Sequence, residues 1–202
     1  MRLIIGMLAA TLLIAGWGLG AQGAPAGRFE LTVQASNVPL YSGNRGGGTG
    51  YSGLGPAVRL GFRPGATPGP TLVEAFFTRT AADDYSGKPQ LSLWGVQVGR
   101  SLRPPATTGI NALWAVGIGY MDIVAAPVPC VLRSGCFREG GADFRSAGIT
   151  TLVGDVGLVL PLVRAVAVRG DLRLHQPLGI SPDRGDSGAT RFEIAAGLAL
   201  RW

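Results

Sequence analysis

The chain has 202 residues, 47% of them hydrophobic, with 33 Gly, a mean hydropathy of +0.30 and a formal net charge of +6. That length allows one domain, and Gly at this abundance argues against long helices, because each interior Gly costs roughly 0.5–1 kcal/mol relative to Ala. The 18 basic residues stand singly, with Lys88 the one lysine, so the basic tract expected of a nucleic-acid binder is missing and no nucleic-acid partner is expected.

Residues 1–26 read as a secretory signal peptide. Met1 and Arg2 supply a short positive start, Leu3 to Leu19 is mainly apolar, and Ala24-Pro25-Ala26 fits an A-x-A cleavage site, with Ala21-Gln22-Gly23 a second option. An uncleaved anchoring helix is the alternative, but the apolar stretch is barely long enough to span and small cleavable residues follow it. The expected mature domain, 27–202, has no further apolar run of about twenty residues.

Eight segments of that domain alternate with a period of two, the mark of strands with unlike faces. Arg28 to Ser36 sets Phe29, Leu31, Val33 and Ala35 against Arg28, Glu30, Thr32 and Gln34. Gly53 to Arg63 sets Leu54, Val58, Leu60 and Phe62 against Arg59, and Thr71 to Thr80 sets Val73, Ala75 and Phe77 against Glu74 and Thr78. Leu91 to Leu102 opposes Trp94, Val96 and Val98 to Gly95, Gln97 and Gly99. Gly109 to Val124 carries the cleanest apolar stripe, Ile110, Ala112, Trp114, Val116, Ile118 and Tyr120. Ile149 to Leu160 sets Leu152, Val156, Leu158 and Leu160 against Thr151 and Asp155. Ala165 to His175 sets Val166, Val168, Leu172 and Leu174 against Arg169, Asp171, Arg173 and His175. Arg191 to Trp202 sets Phe192, Ile194, Ala196, Leu198, Leu200 and Trp202 against Arg191, Glu193 and Arg201.

The connections alternate in length. Long ones are expected at 37–52, around Asp83, Asp84 and Lys88, at 125–148 and at 176–190. Short ones are expected at 64–70, at Pro104-Pro105 and at 161–164. Cys130 and Cys136, close together in an exported chain, read as a local disulfide. A metal site would need two more ligands, and the one histidine, His175, is far along the chain.

A water-soluble β-sandwich and a membrane barrel both use this alternation, with opposite faces inward. Three features favour the barrel: strands of about 9–11 residues, suited to a tilted bilayer crossing, the alternating connection lengths, and a last strand that runs to Trp202. The fold expected is therefore all-β, an eight-stranded antiparallel up-and-down transmembrane barrel. Its termini would lie on the periplasmic side and the cysteine pair outside the cell.

The last strand carries Gly197, Leu200 and Trp202, a terminal aromatic preceded by alternating apolar residues with Gly five positions back. This resembles the closing strand of bacterial outer-membrane barrels, and with the strand count the chain looks like the small OmpA/OmpX/OmpW-like superfamily. Ala195, where that pattern is usually polar, departs from it. The resemblance implies an outer-membrane location and recognition by the barrel-assembly machinery through Gly197, Leu200 and Trp202.

Inside such a barrel, Glu30, Glu74, Asp155, Asp171 and Glu193 would face Arg59, Arg169, Arg173, Arg191 and Arg201. Unpaired charges in a narrow interior are costly, so a paired network is expected. Inward glycines (Gly55, Gly61, Gly95, Gly99, Gly117, Gly119) would leave a small polar cavity. His175 is the one candidate catalytic base, and it lacks a nucleophile motif, so a rim residue is expected and no enzyme. Gly46 to Gly48 lacks the Lys-Ser/Thr of a phosphate loop. Asp83, Asp84, Asp183 and Asp186 lack the ligand spacing of a calcium loop, and no metal or cofactor is expected. The role expected is structural or surface-interacting, with outer-membrane lipid as surroundings, surface partners met through 37–52 and 125–148, and a plugged lumen. A narrow channel or transporter for small or hydrophobic molecules, and a soluble secreted sandwich binding protein, are the alternatives.

Overall fold

The computed structural model describes residues 28–42, 49–64, 70–81, 90–102, 109–124, 147–163, 165–179 and 190–202. They form eight strands: β1 (Phe29–Ser42), β2 (Thr49–Phe62), β3 (Thr71–Ala81), β4 (Gln90–Ser101), β5 (Asn111–Val124), β6 (Ala147–Val163), β7 (Val166–Pro177) and β8 (Arg191–Arg201). Each strand pairs antiparallel with its sequence neighbours, and β8 returns to β1, so the sheet closes as an up-and-down barrel. Along the closed part of the wall no strand edge is left open, whereas the outer ends of β1 and β2 pair only with each other. At the seam, Phe29 N donates to Trp202 O at 3.0 Å and Trp202 N donates to Phe29 O at 3.1 Å.

The antiparallel ladder carries several strands further than the expected boundaries. Residues 37–42 and 49–52, expected as part of a loop, instead extend the first hairpin: β1 and β2 stay in register from Phe29↔Phe62 to Ser42↔Thr49. Pro39 and the glycines weaken the local strand signal there, but hydrogen bonds to the partner strand hold the ladder together. Likewise β6 continues through the expected turn at 161–164 as far as Val163, at the cost of a register shift between Pro161 and Val163. It also begins at Ala147, inside the expected loop 125–148. The expected signal peptide (1–26), Cys130, Cys136, Asp83, Asp84, Lys88, Asp183, Asp186 and Gly46 to Gly48 lie outside the described residues.

The partition of side chains is inverted relative to a water-soluble protein. Leu60, Val96, Ile118 and Ile194 are 53–61% exposed on the outer wall, whereas Arg59, Glu74, Arg169 and Glu193 are at most 1% exposed inside. This decides between the two architectures open to the alternation, because a sandwich buries its apolar face. Two ends can be distinguished. The turn end holds Arg28, Trp202 and the β6–β7 connection, and the loop end holds the β1–β2 and β5–β6 connections. Aromatics mark both: Phe29 stands 5.2 Å from Phe62 and 6.1 Å from Trp202 at the turn end, and Trp94 stands 5.4 Å from Tyr120 towards the loop end. A small apolar cluster, Leu113, Val159, Ala167 and Ala199, packs inside the turn end of the lumen.

Candidate functional site in the barrel lumen

Side chains two residues apart on a strand share a face, so β7 alone aims Arg169, Asp171, Arg173 and His175 into the lumen. The other strands add Glu30 from β1, Arg59 from β2, Glu74 from β3, Asp155 from β6, and Arg191, Glu193 and Arg201 from β8. Most of these groups meet near the barrel axis.

Arg169 reaches three carboxylates. Its Nη1 lies 2.9 Å from Glu30 Oε1 and 2.6 Å from Glu74 Oε2, and its Nε lies 3.0 Å from Asp171 Oδ1. Arg59 Nη1 lies 2.6 Å from Asp155 Oδ2, 3.2 Å from Asp171 Oδ1 and 3.4 Å from Glu74 Oε1. Two of these contacts, Arg169–Glu74 and Arg59–Asp155, join strands four places apart, the widest separation a ring of eight allows. Gln97 completes this layer, its amide donating to Glu74 at 2.8 Å and to Asp155 at 2.9 Å.

Towards the loop end the network continues around Glu193. Its carboxylate accepts from Ser36 Oγ at 2.9 Å, Thr78 Oγ1 at 2.7 Å and Arg173 Nη1 at 3.0 Å, and pairs with His175 Nε2 at 3.1 Å. The Arg173 guanidinium sits 4.0 Å above the Phe76 ring, a geometry in which the ring quadrupole favours the cation. Towards the turn end, Glu30 Oε2 takes Arg201 Nε at 2.9 Å and faces Arg63 Nη2 at 3.8 Å. Arg191 is 1% exposed and stands opposite His175 in the β7–β8 register.

Two expectations need correction. His175 is not a rim residue: it is fully buried, held between Glu193 and the edge of Phe76. The inward glycines do not leave a cavity either. A Cβ on Gly55, Gly95, Gly99 or Gly117 would strike a backbone oxygen of the neighbouring strand, and Gly61 is covered by Leu72. Gly95 and Gly119 also seat Phe76, whose Cζ lies 2.8 and 3.2 Å from where their Cβ atoms would be. Glycine there lets strands approach closely and makes room for a ring.

Several participants were not among the charges expected to pair in the lumen: Arg63, Ser36 and Phe76 were not singled out, and Gln34, Thr78 and Gln97 were placed on the polar faces of their strands without a role in the network. All share the inward parity of their strands, so the signal was present. What hid the neutral ones is that a lone Gln, Ser or Thr carries no charge to be balanced. Among the described residues no group of three or more His, Cys, Asp or Glu is arranged to hold a metal ion. The carboxylates are taken up by guanidinium, amide and hydroxyl donors.

No protein-family model and no curated protein matches the chain. Solved structures do match in fold. Neisserial surface protein A is 14% identical with a TM-score of 0.64, the match covering 88% of this chain and 99% of that one. The outer membrane protein OprG from Pseudomonas aeruginosa is 11% identical with a TM-score of 0.55, covering 90% and 98%. Ail, the attachment invasion locus protein of Yersinia pestis, solved with the heparin analogue sucrose octasulfate, is 11% identical with a TM-score of 0.53, covering 88% and 98%. The shared feature is the closed eight-stranded antiparallel barrel.

Proposed function

Starting from a fold shared with small outer-membrane barrels, we propose that this chain is an integral outer-membrane protein, exported by the signal peptide at 1–26, with a plugged polar lumen and a structural or surface-interaction role. The observation that carries the closed lumen is the pair of ion contacts across the full barrel width, Arg169–Glu74 and Arg59–Asp155. An eight-stranded barrel is only wide enough for its side chains to fill, and here charged side chains bonded across the axis occupy it. The outer wall supports the membrane location. Exposed large apolar side chains line the outside of all eight strands, a continuous apolar face that soluble monomers rarely show and that membrane barrels turn to hydrocarbon.

In this reading the barrel is an anchor without catalytic activity. Partners would be met at the loop end, including 125–148 and its proposed Cys130–Cys136 disulfide, and Gly197, Leu200 and Trp202 would be read by the barrel-assembly machinery. The test is single-channel recording in a planar bilayer with the inserted protein. A closed lumen gives no large steady conductance. A steady open level would contradict the plug and support the narrow-channel role.

A further inference from the structure

The turn-end rim of β3, β4 and β5 carries a groove of about 550 Å³ lined by Pro70, Arg100, Ser101, Leu102 and Trp114. Its floor is fixed by backbone bonds: Ser101 N donates to Pro70 O at 2.8 Å and Leu102 N donates to Ala112 O at 2.8 Å. From inside the barrel, Arg63 Nη1 braces Pro70 O and Ser101 Oγ, each at 3.4 Å.

Arg100 is out of keeping with its surroundings. It is exposed on the outer wall, and the other outward strand residues on the turn-end half, among those described, are uncharged. Register sets it between Thr71 on β3 and Trp114 on β5. Among the described residues it has no ion-pair or hydrogen-bond partner, whereas the charged groups of the lumen are held by several. Towards the loop end the wall beside it is strongly apolar, with Val98 51% and Val116 56% exposed.

Its height on the wall is informative. Arg100 and Ser92 bound the outward apolar stretch of β4, and at about 3.3 Å per residue they stand roughly 26 Å apart along the strand. With a strand tilt of about 40°, that is roughly 20 Å across the wall, close to the thickness of the apolar band of such barrels. Arg100 therefore lies at the border of the hydrocarbon, level with lipid head groups, beside a tryptophan of the kind that settles at that depth.

We propose that this groove binds the head group of one phospholipid of the periplasmic leaflet, the Arg100 guanidinium taking its phosphate and the acyl chains running from there towards the membrane centre along Trp114, Val98 and Val116. A guanidinium presents a planar fork of donors that matches phosphate oxygens two at a time, and the uncharged wall around it suits the chains. The inference rests on the membrane reading given above.

The experiment uses the full-length folded protein in detergent micelles, titrated with dioctanoyl phosphatidylglycerol and read by native mass spectrometry. One lipid should remain bound, and Arg100→Gln should weaken its binding about tenfold or more, the size expected when a charge-assisted contact is lost. Dioctanoylglycerol, with the same chains and no phosphate, should bind as weakly to the unaltered protein as phosphatidylglycerol binds to the variant. Equal retention by the variant, or equal binding of dioctanoylglycerol, overturns the proposal. So does glycerol 3-phosphate competing as well as the lipid, which would make the site one for free phosphate. Gel mobility before and after boiling separates the two levels. A protein whose mobility is unchanged by boiling would refute the membrane barrel and the lipid site with it, whereas a mobility shift with no phosphate dependence refutes the site alone.

Discussion

At the scale of single residues, the lumen shows what charge balance in a narrow interior requires. Arg169 is fully buried, and Glu30, Glu74 and Asp171 all lie within 3.0 Å of its guanidinium. Buried ion pairs are weak evidence for stability as a whole, because desolvation offsets much of their attraction. Removing one partner is a different matter, since the remaining charges stay buried and face each other. Arg169→Gln should therefore lower the unfolding free energy by about 3–5 kcal/mol, read by urea titration in detergent micelles at neutral pH. A loss under about 1 kcal/mol would mean that water already solvates these carboxylates and that the lumen is wetter than its ion contacts imply. The parity of the ten charged residues was legible in the sequence. Their partners were not, because Arg59 and Asp155 are 96 positions apart and meet only once four strands have turned half a circle.

At the scale of elements, the alternation located β3 and β4 almost to the residue, because both are bounded by Pro, Gly or charged positions that end the pattern. It failed for the outer half of the first hairpin and for the end of β6. There Pro39, Pro161 and the local glycines carry little strand preference, and the ladder is supplied by the neighbour instead. The seam between β1 and β8 is the element on which closure depends. Trp202 contributes both a hydrogen-bonded pair with Phe29 and a ring 6.1 Å from the Phe29 ring. Removing Trp202 should impair assembly, seen as a smaller heat-modifiable fraction in the membrane. Insertion at the level of the unaltered chain would contradict the importance given to this residue.

At the scale of the whole molecule, one question could not be answered from the pattern: which face points inward. A period of two is indifferent to it, and only closure of the sheet resolves it, with Val96 61% exposed and Glu74 1% exposed on adjacent strands. The glycines were misread for a related reason. Their inward parity was legible, but whether an inward glycine leaves space or admits a neighbouring backbone depends on wall curvature, which has no local signature. The membrane barrel as a whole rests on an apolar outer wall meeting lipid. It is tested most directly by fractionating Gram-negative cells that express the full chain and running the membrane fraction with and without boiling. A membrane barrel should be recovered in the outer membrane, the unboiled protein migrating faster than the boiled one. Recovery in the soluble periplasm, with mobility unchanged by boiling, would contradict it.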